Sequence, residues 1–147
     1  IRAQLATERE DPAYNKKLAA GKARRDKEQA SYRIEFAKEV RQFLAFHLKF
    51  DEFEQRLAQA VTEHATPVGS GTVARTKRIP VAQRAEAAVI AWLRHQTTAY
   101  DSLKIARVKG RRREVRRELA ERSRELLDAY RRGDEPSVRC PLARALG

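Results

Sequence analysis

VAQRAEAAVIAWLRH, residues 81–95, places Ala85, Ala88, Val89, Trp92 and Leu93 three and four positions apart, so a helix through them presents one broad apolar face. Pro80 suits its first turn, where no intrahelical N–H is needed. A face this wide predicts the central core helix. The flanking sequence keeps the same period, and nowhere does an apolar/polar alternation mark a strand.

Upstream, DEFEQRLAQAVTEHA (51–65) sets Phe53, Leu57 and Val61 on one stripe, and Asp51 three residues before Glu54 resembles a capping box. Before it, one helical pattern runs from about Asn15 through Leu48. Its lead-in, KKLAAGKARRDKEQA, is charged and Ala-rich with little to bury, either a frayed helix or a disordered basic arm. Its second half carries Ile34, Phe36, Ala37, Val40, Phe43, Leu44 and His47 as an apolar face. Pro67, Gly69 and Gly71 interrupt the pattern between residues 66 and 79.

Downstream, Thr97 and Thr98 are placed to cap a short helix, AYDSLKIAR. After Gly110, RRREVRRELAERSRELLDAYRR forms a last long helix that Gly133 stops. On a 100° wheel Val115, Leu119, Leu126 and Tyr130 share one side, and Arg113, Arg117, Arg124 and Arg131 fall opposite. The tail DEPSVRCPLARALG has two prolines and little to bury. The expected architecture is therefore all-α. About five helices are expected: a long basic N-terminal one and a long Arg-rich C-terminal one around a short central helical core. Residues 1–30 read as a basic arm, 31–133 as the helical domain and 134–147 as a flexible tail.

The 147 residues include 35% charged side chains, enough apolar residues for one modest domain, and a formal net charge of +12. The surplus is uneven. Residues 1–50 hold 12 Lys and Arg against 7 Asp and Glu, residues 51–102 hold 6 against 6, and residues 103–147 hold 14 against 7. A neutral body between two basic ends is the layout expected for gripping a polyanion, rather than charge serving solubility alone. No apolar run approaches the roughly 20 residues that span a bilayer, and IRAQLATERE lacks a signal-peptide core. A lone Cys140 has no disulfide partner and favours an intracellular compartment, whether cytoplasm, nucleoid, nucleus or organelle. With Ile1 first and no methionine, the chain reads as a processed or partial form of a longer product.

Arg111, Arg112 and Arg113 crowd a helix start, where the dipole disfavours cations by a few tenths of a kcal/mol each. With Arg116 and Arg117 they suit phosphate groups, through charge-assisted and often bidentate hydrogen bonds. The competing reading is a solvated ion-pair helix in which Glu114, Glu118 and Glu121 neutralise them. Arg75, Lys77 and Arg78 follow a glycine turn that could form an anion nest or a basic linker, and Arg24, Arg25 and Lys27 form an outlying set. No phosphate-binding loop, dinucleotide fingerprint or zinc spacing is present, so neither cofactor nor metal is expected; His47, His64 and His95 share no ligand spacing.

RHQTTAYD (94–101) is the one candidate reaction centre. His95 near Asp101 could serve as a general base, with Tyr100 and Arg94 orienting an anion. In the architectural alternative Thr98 and Asp101 cap, His95 sits at a helix C-terminus and Tyr100 packs.

Two of these stretches also carry a resemblance. The turn Gly69, Ser70, Gly71, Val73 and Arg75, followed by the turn Arg94, His95, Thr98, Tyr100 and Asp101, is similar to the paired signature of the domain of unknown function 2293 family, with His64 at the end of the preceding helix. The likeness extends over about residues 24–132. It implies a shared helical domain and a shared functional surface around the two turns, and no activity. Bacterial members look as if they carry a Cys-rich, zinc-ribbon-like segment ahead of the basic helix, which this chain lacks.

The reading that follows is a non-enzymatic nucleic-acid-binding helical domain contacting RNA or DNA phosphates, as within a larger ribonucleoprotein or DNA-associated assembly with protein partners and no membrane. Two others stand beside it. One is a phosphodiester-acting hydrolase built on His95, Tyr100, Asp101 and Arg94. The other is a protein-interaction scaffold, which requires exposed apolar stripes along Phe36–Leu48 or Val115–Tyr130.

Overall fold

The computed structural model describes residues 11–66, 79–98 and 109–147. Among them are five α-helices and one 3-10 turn, and no strand: α1 (Pro12–Leu44), the turn Leu48–Phe50, α2 (Asp51–Ala65), α3 (Val81–Thr97), α4 (Arg111–Arg132) and α5 (Pro141–Leu146). The architecture is all-α as expected. The chain divides into two compact units, residues 1–35 and 36–147. The glycine turn at 69–71 and the short helix expected after Thr98 lie outside the described residues.

α1 starts three residues earlier than its apolar period suggested. Asp11 accepts a hydrogen bond from the Ala13 N–H at 3.0 Å while Pro12 takes the first helical position, a start set by the Asp-Pro pair rather than by burial. The lead-in is thus helical. The end comes at Leu44 instead of Leu48, because Ala45 turns into the left-handed region at φ 48°.

Arg131 stabilises this stop. Its Nε donates to the Leu44 carbonyl at 2.8 Å and its Nη2 to the Phe43 carbonyl at 2.7 Å, while the guanidinium lies 5.1 Å over the Phe43 ring. A cation thus meets the negative end of the helix dipole and satisfies two terminal carbonyls. The wheel had placed Arg131 opposite the buried stripe; the length of the side chain lets its head reach another helix.

In the 36–147 unit, Phe36, Val40 and Leu44 are fully buried. Ile34, expected on that face, is 71% exposed because two residues on a helix are about 200° apart. Leu57 and Val61 of α2 and Val89 and Leu93 of α3 complete the interior. α3 packs against α2, α4 and α5, which confirms it as the central helix.

On α4 the buried line is Leu119, Ser123, Leu127 and Tyr130, not the expected Val115, Leu119, Leu126 and Tyr130. Ser123 fits because its hydroxyl donates to the Leu119 carbonyl at 2.9 Å, and Leu126 and Val115 are half-buried at the margin. Along Phe36–Leu48 the side chains of Phe36, Val40, Leu44 and Phe46 are buried while Leu48 is exposed, and along α4 Leu119, Leu127 and Tyr130 are buried while Val115 and Leu126 are half-buried. The tail also contributes to the core: Cys140 and Leu142 are buried, and Arg56 donates to the Leu146 carbonyl at 2.6 Å.

Tyr130 is the hub of an aromatic cluster. Its ring lies 5.0–5.1 Å from those of Phe46, Phe50 and Phe53, its carbonyl accepts from the His47 N–H, and its hydroxyl is 3.2 Å from the Cys140 Sγ. Burial, then the hydrogen bond and charge interaction with Cys140, push the Tyr130 phenol well above its ordinary range. The stability it contributes is therefore present below the unfolded value of about 10 and lost as pH rises toward the folded one. Unfolding free energy should fall by up to about 1.4 kcal/mol per pH unit above pH ~10. Denaturant titrations of wild type and Tyr130→Phe check this: the variant should show a shallower alkaline slope, and equal slopes would refute it.

Candidate functional site

α4 begins without a side-chain cap: Gly110, in the left-handed region at φ 84°, precedes Arg111. From Arg111 to Glu118 every residue is exposed except the half-buried Val115. Arg112 and Arg116 show why. Each sits seven residues before a buried residue, Leu119 and Ser123, and so within about 20° of the core-facing direction, yet both are in solvent. The first two turns of α4 run past the end of the core and offer arginines on all sides.

Their pairing decides between the two readings of this helix. Arg111 bonds Glu114 at 3.2 Å. Among the described residues, no carboxylate lies within ion-pair distance of Arg112, Arg113, Arg116 or Arg117. Glu118 and Glu121 do not neutralise them. Part of the reason is order: an Arg four residues before a Glu, as in Arg117 and Glu121, is the weaker arrangement against the dipole. The net result is four exposed guanidinium forks over two turns. Arg122, not among the residues expected from the sequence, is also exposed, has no ion-pair partner among the described residues, and lines a groove of about 490 Å3 with Leu119 and Leu126. Its spacing of eleven residues from Arg111, about 20° around the helix, could have pointed to it.

Arg24, Arg25 and Lys27 are exposed on α1, with no ion pair among the described residues. They belong to the other unit. Arg75, Lys77 and Arg78 lie outside the described residues, as do Tyr100 and Asp101 of the candidate reaction centre. Of that centre, Arg94 and His95 are half-buried in the last turn of α3. Thr97 is the last helical residue of α3 and its Oγ1 donates to the Leu93 carbonyl at 2.5 Å, while the helix it was expected to cap lies outside the described residues. Thr98 donates likewise to the Arg94 carbonyl. Both hydroxyl protons are spent closing the helix that precedes them, where unpaired carbonyls are nearest. Among the described residues no three His, Cys, Asp or Glu side chains gather as a metal-ligand set.

A family model described as an uncharacterized conserved protein, DUF2293, matches residues 45–131, the span from the end of α1 to the last turn of α4 that includes the five candidate arginines of α4. No curated protein and no solved structure matches the chain.

Proposed function

This chain belongs to the DUF2293 family of uncharacterized conserved proteins, and we propose that it is a non-enzymatic domain that binds nucleic acid through phosphate contacts. The supporting observation is that Arg112, Arg113, Arg116 and Arg117 are exposed and have no ion-pair partner among the described residues. A guanidinium that holds no internal acid gives up no ion pair when it meets a phosphate, so the contact gains in full from counterion release. Arg111 is the fifth contact, exchanging its exposed Glu114 for a phosphate. Arg75, Lys77, Arg78, Arg24, Arg25 and Lys27 extend the footprint. The assembly is a ribonucleoprotein or DNA-associated particle inside the cell.

Binding of this kind is salt-steep. Fluorescence anisotropy of the whole chain with a labelled duplex should give a log-log slope against salt near the number of phosphates neutralised. Replacing Arg112, Arg113, Arg116 and Arg117 together by Gln should reduce that slope by roughly 3 to 4 and weaken binding at least about tenfold at physiological salt. An affinity that does not change between low and physiological salt would remove the proposal.

A further inference from the structure

The described part of the 1–35 unit is helix, and it buries almost nothing. From Pro12 to Ser31 every residue is exposed except the buried Gly21 and the half-buried Gln29. Six cations lie along it: Lys16, Lys17, Lys22, Arg24, Arg25 and Lys27. None has an ion-pair partner among the described residues, although Asp26 and Glu28 are close in sequence. Their directions are not random. At 100° per residue, Lys16, Lys17, Arg24 and Lys27 fall within about 100° of one another, and Lys22 and Arg25 lie on the far flank, about 160° away.

Between the two flanks, on one side, the helix is narrow. Ala19, Ala23 and Ala30 fall within about 40° there, with Asp26 at the edge as the acid on that side. A helix with cations on opposite flanks and short side chains between them can sink into a channel whose two walls are anionic. A lipid surface asks for something else, a continuous apolar face, and here Tyr14 and Leu18 are the exposed large apolar side chains before Ile34 among the described residues, with Tyr32 half-buried.

Resting on the nucleic-acid reading above, we infer that the Pro12–Ser31 segment of α1 enters the major groove of B-form duplex DNA. Lys16, Lys17, Arg24 and Lys27 contact one phosphate wall, and Lys22 and Arg25 the other. The dimensions discriminate between duplexes. An α-helix with its side chains is about 10–12 Å across and the B-DNA major groove about 12 Å wide, whereas the A-form RNA major groove is deep and too narrow to admit it. Selection is by groove shape, so DNA is preferred over RNA without a preferred base sequence.

The test uses the whole chain with a duplex of about 20 base pairs as DNA and the same sequence as RNA, near 150 mM salt. DNA should bind at least about tenfold more tightly. Replacing Lys16, Lys17, Arg24 and Lys27 together by Gln, which keeps high helix propensity, should abolish that preference while circular dichroism shows the helix retained. The Gln variant of Arg112, Arg113, Arg116 and Arg117 should weaken both duplexes by a similar factor and leave the preference in place. Equal affinity for the two duplexes, or a preference that survives the α1 substitutions, overturns the groove assignment and leaves phosphate binding standing. Absence of binding to either overturns both.

Discussion

Replacing Glu54 by leucine should lower the unfolding free energy by about 3 kcal/mol and the melting temperature by roughly 10 °C. Glu54 is 7% exposed and both of its carboxylate oxygens are used. Oε1 accepts from the Arg41 Nε at 2.9 Å, and Oε2 accepts from the buried Phe46 N–H at 2.7 Å. Leucine leaves that N–H without an acceptor, a cost of about 1–3 kcal/mol. It also takes from Arg41 its better-buried partner. That second loss is discounted, because the Arg41 side chain is 36% exposed and keeps Asp51. The Glu54 hydrogen bond is the main reason the Arg41 guanidinium binds its proton more tightly than usual, against the opposing effect of burial. Glu54→Gln retains an acceptor for Phe46 and should lose less than half as much. Equilibrium unfolding in urea separates the variants, and a Glu54→Leu protein within 0.5 kcal/mol of wild type, a margin of about the size expected for surface changes, would contradict the assignment.

Gly133→Ala should cost about 2–3 kcal/mol for two separable reasons. Gly133 ends α4 in the left-handed region at φ 82°, which is about 1–2 kcal/mol less favourable for a residue with a Cβ. That Cβ would also lie 2.9 Å from the Cγ and Cδ2 of His47. The imidazole is not free to yield: its Nδ1 accepts from the Lys49 N–H at 3.2 Å, and its own backbone N–H donates to Tyr130 at 3.1 Å. Adding His47→Ala to Gly133→Ala should therefore recover the steric part and leave the backbone part. If the double variant is no more stable, relative to His47→Ala alone, than Gly133→Ala is relative to wild type, the two residues do not oppose each other as described.

These positions also mark how far the residues speak for themselves. Gly133 as a helix stop and the breadth of the α3 face follow from local pattern, since each depends on neighbours within a turn or two, whereas the pairing of the α4 arginines stayed open between two readings until their carboxylates were placed. Glu54 was legible as a helix-start residue, but its role was not. Its spacing from Asp51 suggests a capping box, whereas its oxygens go to Arg41 and Phe46, which only the turn after α1 brings near. The stop at Leu44 was equally hidden, because AFHLKF contains no Gly or Pro and the group that caps it is Arg131. Leu127 displaced Leu126 because a 100° wheel locates an apolar side only to within a residue or so, and the neighbouring helix fixes the rest. At the candidate site the surplus charge was readable from composition; that Arg112 and Arg116 stay in solvent was not, since it depends on where the core ends.

The Arg131 contact with Leu44 spans 87 positions, Lys49 meets Glu135 across 86, and Arg56 meets Leu146 across 90. These are long loop closures, whose entropy must be met before the contacts form. A nascent chain that has left the ribosome only as far as Thr66 has Phe53 and Glu54 beside Phe46 but lacks Tyr130 and Arg131, the later groups that seal Phe46 and cap Leu44. At roughly 5–20 residues per second, the interval between Phe46 and Tyr130 lasts on the order of 4 to 17 seconds. Throughout that interval the vectorial synthesis of this polypeptide holds open an apolar surface that a chaperone can occupy.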